Sequence, residues 1–532
     1  MIRRGGAFLL GLLMLTGCGR GPQLTRAERA MAEGILIRGN GPETDSLDPH
    51  LATSVSAGNL LVNLFEGLTR LNPKDLSPEG AMAESWEVSE DGRVWTFHLR
   101  EALWSNGDPV QAEDFVFAWR RMLQPELAAS YAYMLFVIDQ AREIHSGEAP
   151  GTALGARALD ARTLELRLTK PVPFLLSLVA HWTWMPLHAA SLEAVGAVSD
   201  RTVLWTRPET MVNNGAFLLT AWVPENRIEL KANPAYWQAD QVRLRGAVFL
   251  PIADPATEER AFRNGDLHAT YSLPRPRFAS YRDSGHPALR VHPYLESAGW
   301  IVNLQRPALQ DVRVREALSL AMQREKIVER VLLGTRLPAF TFVPPGAGGH
   351  QPAPPLTEDQ ALAAQRLAEA GFPGGEGLPV LEMILPNRAD WVRVAEVLQQ
   401  QWAAVGIRVQ ITSLERGTYF SRRRERNFDL SFIGWVGDFP DADSFLGLWR
   451  SDAGNNFSGW ANETFDDLLN ISTQMGQDRT ALLTAAEALL LEELPILPMA
   501  FGATMSLVDP RVGGWHANLL DLHPLRTVYF RD

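Results

Sequence analysis

Cysteine is almost missing from this chain: Cys18 is the single one among 532 residues. No disulfide can form within it, and no cluster of thiolates can hold a metal. Long apolar runs are missing too. No segment reaches the ~18 uninterrupted apolar residues that read as a membrane-spanning helix. Basic runs are scarce, with 50 Lys and Arg against 62 Asp and Glu and a formal charge of −12. That balance argues against a nucleic-acid partner, the RRRER stretch at 422–426 being the one exception. Low-complexity segments and internal repeats are absent. So are the GxSxG and HExxH signatures of common hydrolases, and the eleven histidines are scattered rather than clustered.

What is present begins with a leader. Arg3 and Arg4 precede an apolar run from Ala7 to Leu15, the arrangement of a secretory signal. It ends in Leu15-Thr16-Gly17-Cys18, which resembles a bacterial lipobox. Residues 1–17 are therefore expected to be a lipoprotein signal peptide, with Cys18 the lipidated N-terminus and residues 18–33 a polar linker. Removing the leader takes away two arginines and no acid. The remaining chain exceeds what one core usually holds, so several lobes are expected. Sixteen tryptophans suit buried cores or an aromatic-lined cleft.

Strand and helix patterns interleave. In Arg93–Arg100, Trp95, Phe97 and Leu99 alternate with Thr96, His98 and Arg100, the period of a half-buried strand. Leu164, Leu166 and Leu168 repeat that pattern. Phe115, Trp119 and Met122 fall on one stripe of a helix over 112–123, with Glu113 and Asp114 at its start and Arg120 and Arg121 near its end. Further amphipathic helices are predicted over 312–333 and 391–406, the second stopped by Gly406, with a strand following. The Pro/Gly-rich stretch 342–355 reads as a rim or hinge loop. Together these imply an α/β protein.

One stretch concentrates chemistry: FIGWVGDFPDADSF at 432–445, three acids among aromatics. A calcium loop counted from Asp438 would need oxygen ligands where Pro440 and Ala442 stand. A carboxylate-pair hydrolase could use Asp438 with Asp441 or Asp443, but no other hydrolase signature accompanies them. A trap for a cationic ligand is the third reading.

The ordered motifs GPETDSLDPH (41–50), NLFEGL (63–68), WSNGDPVQAEDFVFAWRR (104–121), NNGAFLLTAW (213–222), NPAYW (233–237), VNLQRPALQDVRVREAL (302–318), GWVGDFPDADSFL (434–446) and LPILPM (494–499) resemble one family. It is the substrate-binding proteins of bacterial ABC importers, of the oligopeptide-binding kind, and the resemblance covers nearly the whole mature chain. It implies a type II periplasmic-binding-protein fold of three lobes. Lobe one comprises 34–66, 191–295 and 506–532; lobe two, an extra domain, 67–190; lobe three 296–505. The ligand would lie between lobes one and three, which hinge shut around it. The implied protein is no enzyme and needs no cofactor. It is a lipid-anchored monomer of the periplasm or cell envelope that hands oligopeptides to permease and ATPase subunits. A murein peptide, a dipeptide, haem or nickel is the alternative solute on the same fold.

The resemblance also implies a site. A binder of many peptides reads the shared backbone, by adding the ligand as a strand, and the two charged ends. In the family the ligand amine meets an aspartate three residues after the tryptophan of a Gly-Trp pair, here Asp438 after Gly434 and Trp435, which are expected to offer backbone groups. Asp441 and Asp443 are then expected to cap a following helix. Ser54 and Val55 match a ligand-pairing backbone segment, Tyr131 a tyrosine on lobe two, and Asn213, Asn214 and Gly215 a stretch beside the cleft. The chain departs from the family where basic side chains should read the ligand carboxylate, which here are Phe432 and Val392. Arg416 stands where a pocket tryptophan belongs and Arg423 keeps a family arginine, so Arg416, with Arg423, is expected to take the carboxylate.

Overall fold

The computed structural model describes residues 24–531; the leader, Cys18 and the start of the linker lie outside them. The rest of the linker is not the loose tether expected from its polarity. Arg26–Ala32 is helical, opened by a capping box in which the Thr25 side chain accepts from the Glu28 N–H while Glu28 reaches back to Thr25. Ala27 is buried and its N–H donates to the Gly265 carbonyl at 2.8 Å.

Three larger sheets carry the architecture. The first runs Ile35–Gly39, Gly246–Leu250, Arg227–Ala232, Phe217–Val223, with only its first two strands parallel. The second is antiparallel, in the order Ala83–Val88, Val94–Leu99, Thr163–Arg167, Ala156–Asp160. Trp95, Phe97 and Leu99 are buried as their alternation predicts. The third has six strands: Leu337–Pro338, Ile496–Leu507, Leu289–Val302, Leu430–Val436, Leu381–Pro386 and Val409–Leu414. Apolar packing divides differently from the expected lobes. Segments 34–66, 67–190 and 191–295 share one continuous core, while the six-stranded sheet is sandwiched between two others.

The expected boundaries at 295/296 and 505/506 fall inside strands. Leu289–Val302 and Ile496–Leu507 run on unbroken and pair with each other antiparallel, with register shifts between Tyr294 and Ser297 and between Ala298 and Gly299. Such bulges bend and twist a strand locally.

The helix over 112–122 forms as the stripe requires, and Ala389–Ala404 ends before Gly406. Gly406 takes φ +96°, and a Cβ there would lie 2.3 Å from the Gly374 backbone, so both conformation and contact demand glycine. The stretch 312–333 is not one helix. It breaks at Met322, which is extended, between Val312–Ala321 and Arg324–Arg330. Arg324 is fully buried, with Nε donating to the Pro498 carbonyl at 2.8 Å, and its own N–H donates to Glu358 Oε1 at 2.7 Å. Those bonds outweigh helical continuity. The 342–355 loop is no free rim either. Buried Glu487 accepts from the N–H groups of Phe342, Val343 and Ala353 and faces His350 at 2.9 Å.

The LDPH motif acquires a structural reason. Arg121, fully buried at the end of the 112–122 helix, forks onto Asp48 at 2.7 and 3.1 Å, and Trp205 Nε1 donates to the same carboxylate at 2.9 Å. His50 Nδ1 lies 2.9 Å from Arg121 Nη1. Burial first, and then the guanidinium charge, push the His50 pKa down to about 3, so it is neutral and accepts. Asp48→Ala should leave Arg121 buried without its carboxylate and cost about 3–5 kcal/mol of stability, read as a lowered denaturation midpoint. A change under about 1 kcal/mol would show that the fork is dispensable.

Candidate functional site

The site is built on the outer end of the strand Leu430–Val436. On one side it pairs with the long strand through Val436 opposite Glu296. On the other side its pairing to Leu381–Pro386 stops at Ser431. From Phe432 onward that side has no strand neighbour among the described residues, and Gly434 and Val436 are exposed. An open edge of this kind is a template for a further strand. Gly434 is not forced by crowding, since a Cβ there would meet nothing nearer than 3.5 Å. Its effect is to keep the backbone approachable.

Beside this edge lies a cavity of about 910 Å³ lined by Phe432, Gly434, Trp435, Arg416, Phe420 and Arg423. Arg416 opens the helix Arg416–Arg424, exposed, with its guanidinium 5.8 Å from the Phe420 ring centroid. Arg423 lies 4.9 Å from the same centroid and donates to Tyr419 Oη at 3.2 Å. The rest of the RRRER run divides: Arg422 pairs with Glu382 at 2.7 Å and Arg424 is exposed. Phe432, where a cation was expected, is buried 4.5 Å from the Trp391 ring and 5.7 Å from Trp300. Val392 is half-buried against the same core.

Beyond the edge the chain turns to Asp438. Trp435 Nε1 donates to the Ser444 carbonyl at 2.8 Å, and the Asp438 N–H to Ser444 Oγ at 3.3 Å. The carboxylate sits in a smaller recess with Phe439, His181 and Trp182, and Tyr133 Oη donates to its Oδ2 at 3.1 Å. Burial pushes the Asp438 carboxyl above the usual aspartate range, further than the Tyr133 bond lowers it. Tyr131 stands beside Tyr133 at 5.7 Å. Burial, and then the Asp438 and Asp45 carboxylates, push its phenol up. Asp45 accepts from the Thr53 and Ser54 hydroxyls.

Several expectations change. Val55 does not extend a strand-like segment; it opens the helix Val55–Leu64, with Ser54 as its N-cap. Asn214 and Gly215 are buried. Asn214 exchanges bonds of 3.0 and 2.9 Å with the Glu66 backbone, and the Gly215 carbonyl accepts from Asn233. Asn213 likewise donates to Leu64 and Phe217 carbonyls. These bonds tie the three into the fold, and Asn213 Oδ1 is buried without a hydrogen-bond partner among the described residues. Asp441 accepts from the Asp443 N–H but also pairs with Arg479 at 2.7 Å, and the short helix that follows starts at Asp443 from Ala442, with no side-chain cap. Tyr133 is the residue sequence reasoning missed. It is two positions from Tyr131, and only the turn over 132–135 directs it at Asp438. Among the described residues no His/Cys/Asp/Glu cluster suited to a metal is found, and no helix is long and apolar enough to cross a membrane.

With this geometry, residues 77–457 match the model of the bacterial extracellular solute-binding proteins, family 5. The chain belongs to that family. It is 34% identical to the periplasmic oligopeptide-binding protein OppA of Salmonella typhimurium over 511 residues, 93% of this chain and 92% of that one. It is 33% identical to the probable deoxycholate-binding periplasmic protein YgiS of Escherichia coli over 489 residues, covering 90% and 89%. Among solved structures, the unliganded open form of the murein tripeptide-binding protein MppA superposes with a TM-score of 0.85 at 30% identity, covering 93% of this chain and 97% of that one. Against a second MppA structure the score falls to 0.74. The type II binding-protein fold is thus established, in an arrangement like the open form. The family consists of solute binders rather than enzymes.

The Asp438 carboxyl should titrate above an ordinary aspartate in a carboxyl-carbon NMR titration of the free protein. Tyr133→Phe, which removes the bond that favours the ionised form, should move its midpoint higher still. An ordinary midpoint in both proteins would mean that the recess is wet.

Proposed function

We propose that this protein captures oligopeptides in the cleft between lobes one and three and delivers them to the permease and ATPase subunits of an ABC importer. In the mature form it would be tethered to the envelope through lipid on Cys18. The reading rests on one observation: the unpaired strand edge from Phe432 to Val436, running directly into the half-buried carboxylate of Asp438. An extended peptide laid on that edge gains main-chain hydrogen bonds whatever its side chains. Its ammonium then meets Asp438, and its other end points back along the strand toward Arg416 and Arg423. Closure removes water from these contacts and strengthens them. Ser54 and Tyr131 on the opposite wall complete the enclosure, and Gly434 and Trp435 present backbone.

An ammonium is the partner that a desolvated, unpaired carboxylate favours. Free-amine peptides should bind, and N-acetylated ones should bind poorly. Asp438→Ala should cost free-amine peptides about 2–5 kcal/mol of affinity by calorimetry while folding is kept. If acetylation makes no difference, Asp438 is not the amine anchor. If peptides of every length fail while deoxycholate binds, the peptide reading falls. Gly434→Val should fold normally and lose peptide affinity, because a branched side chain blocks the edge; undiminished binding would remove strand addition from the account. Cys18→Ser should release the protein from the membrane fraction, and retention there would rule out the lipid tether.

A further inference from the structure

The charges around the large cavity do not balance, and the imbalance is specific. Three of the five ionised side chains lining it already have partners. Glu296 meets Arg336 at 3.0 Å. Arg388 meets Asp390 at 3.2 Å. Glu415 is spent on its own helix, accepting from the N–H groups of Gly417 and Thr418. Arg423 and Arg416 are left. Among the described residues neither has a carboxylate within 4.0 Å.

These two guanidiniums are not stray surface charges. Both lie over the Phe420 ring, at 5.8 and 4.9 Å from its centroid. Arg423 is also within 4.9 Å of the Phe457 centroid and 5.4 Å of Tyr419, and its Nε is buried without a hydrogen-bond partner. Tyr419 Oη in turn donates to the Phe432 carbonyl at the start of the open edge. Three rings and one hydroxyl therefore aim Arg423 at the place where a strand-added ligand would end. Arg416 sits on the same ring, nearer the solvent.

We infer that this cavity selects peptides whose C-terminal end carries two carboxylates, the free terminus and an acidic side chain beside it, one for Arg423 and one for Arg416. The inference rests on the peptide reading above. Two like charges facing one cavity repel each other, and lobe closure around them makes the repulsion stronger by excluding water. A ligand with one carboxylate leaves one guanidinium enclosed and uncompensated, which is costly. A ligand with two removes both penalties, and a planar guanidinium suits each carboxylate.

The test is calorimetry on peptide pairs of three to five residues, identical except for Glu or Gln at the last position, each with a free or an amidated terminus. The Glu peptide with a free terminus should bind the wild type at least about tenfold more tightly than its Gln counterpart. The gap should shrink as salt rises. In Arg416→Gln, an exposed position that should fold normally, the gap should close to within about twofold. Arg423→Lys keeps the charge but loses the fork and should narrow it. Equal binding of Glu and Gln peptides to the wild type would overturn the inference and leave the peptide reading standing. So would a gap that survives Arg416→Gln. Failure of every peptide would overturn both.

Discussion

The site hangs on a single backbone contact. The Leu295 carbonyl, inside the irregular part of the long strand, accepts from the Gly437 N–H at 2.9 Å, while the Leu295 N–H donates to the Leu519 carbonyl at 2.7 Å. Residue 437 must be glycine for this. A Cβ there would come within 2.8 Å of Leu295 and 2.9 Å of Phe445, two fully buried side chains. The bulge thereby holds the start of the turn whose next residue is Asp438. In the proposed closing motion the long strand Leu289–Val302 would cross between the lobes, so the carboxylate would be fixed to the part of the molecule about which they rotate. A group placed there moves least on closure, which suits an anchor that must be ready before the cleft shuts.

The second constraint is where pairing ends. Leu381–Pro386 meets Leu430–Val436 at only two residue pairs before the strands part, while its pairing with Val409–Leu414 continues to Pro386. The divergence leaves the edge bare and creates the cavity beside it, into which the helix Arg416–Arg424 projects its arginines. Edge, cavity and basic residues are thus consequences of one splay in a sheet rather than separate inventions. An exposed edge is an aggregation hazard. Placing it inside a cleft, with flanking arginines, keeps it from meeting a second sheet.

Much of this was legible in the sequence, for reasons that differ by residue. Trp95, Phe97 and Leu99 reported a strand because period-2 burial leaves a direct mark. Asp438 is singled out from Asp441 and Asp443 only by the family's Gly-Trp register, not by composition or spacing. A motif that locks backbone and a motif that touches ligand look alike in one dimension, as at Asn214 and Gly215, which bond to Glu66 and Asn233. Met322 broke a helix through Arg324, whose buried bonds to Pro498 and Glu358 have no periodic signature. Tyr133 was invisible because its contact crosses between lobes.

The two ends of the proposed cleft hold charge in opposite ways. Asp438 is one acid in a tight recess, raised by burial and steadied by one phenol, and on the proposed reading an ammonium would relieve the cost of its charge. At the other end two guanidiniums, Arg416 and Arg423, have no carboxylate within 4.0 Å among the described residues, and on the proposed reading they would repel each other in a closed empty cleft. Both features destabilise a closed empty cleft more than an open one, because closure lowers the local dielectric around charges left unpaired. A ligand that supplies the missing charges removes that cost only in the closed state. Differential affinity of this sort is what a ligand needs to shift an open–closed equilibrium. On the proposed peptide reading, the uncompensated charges would take part in closing: they would favour the empty protein open and tie closure to the arrival of both ligand ends.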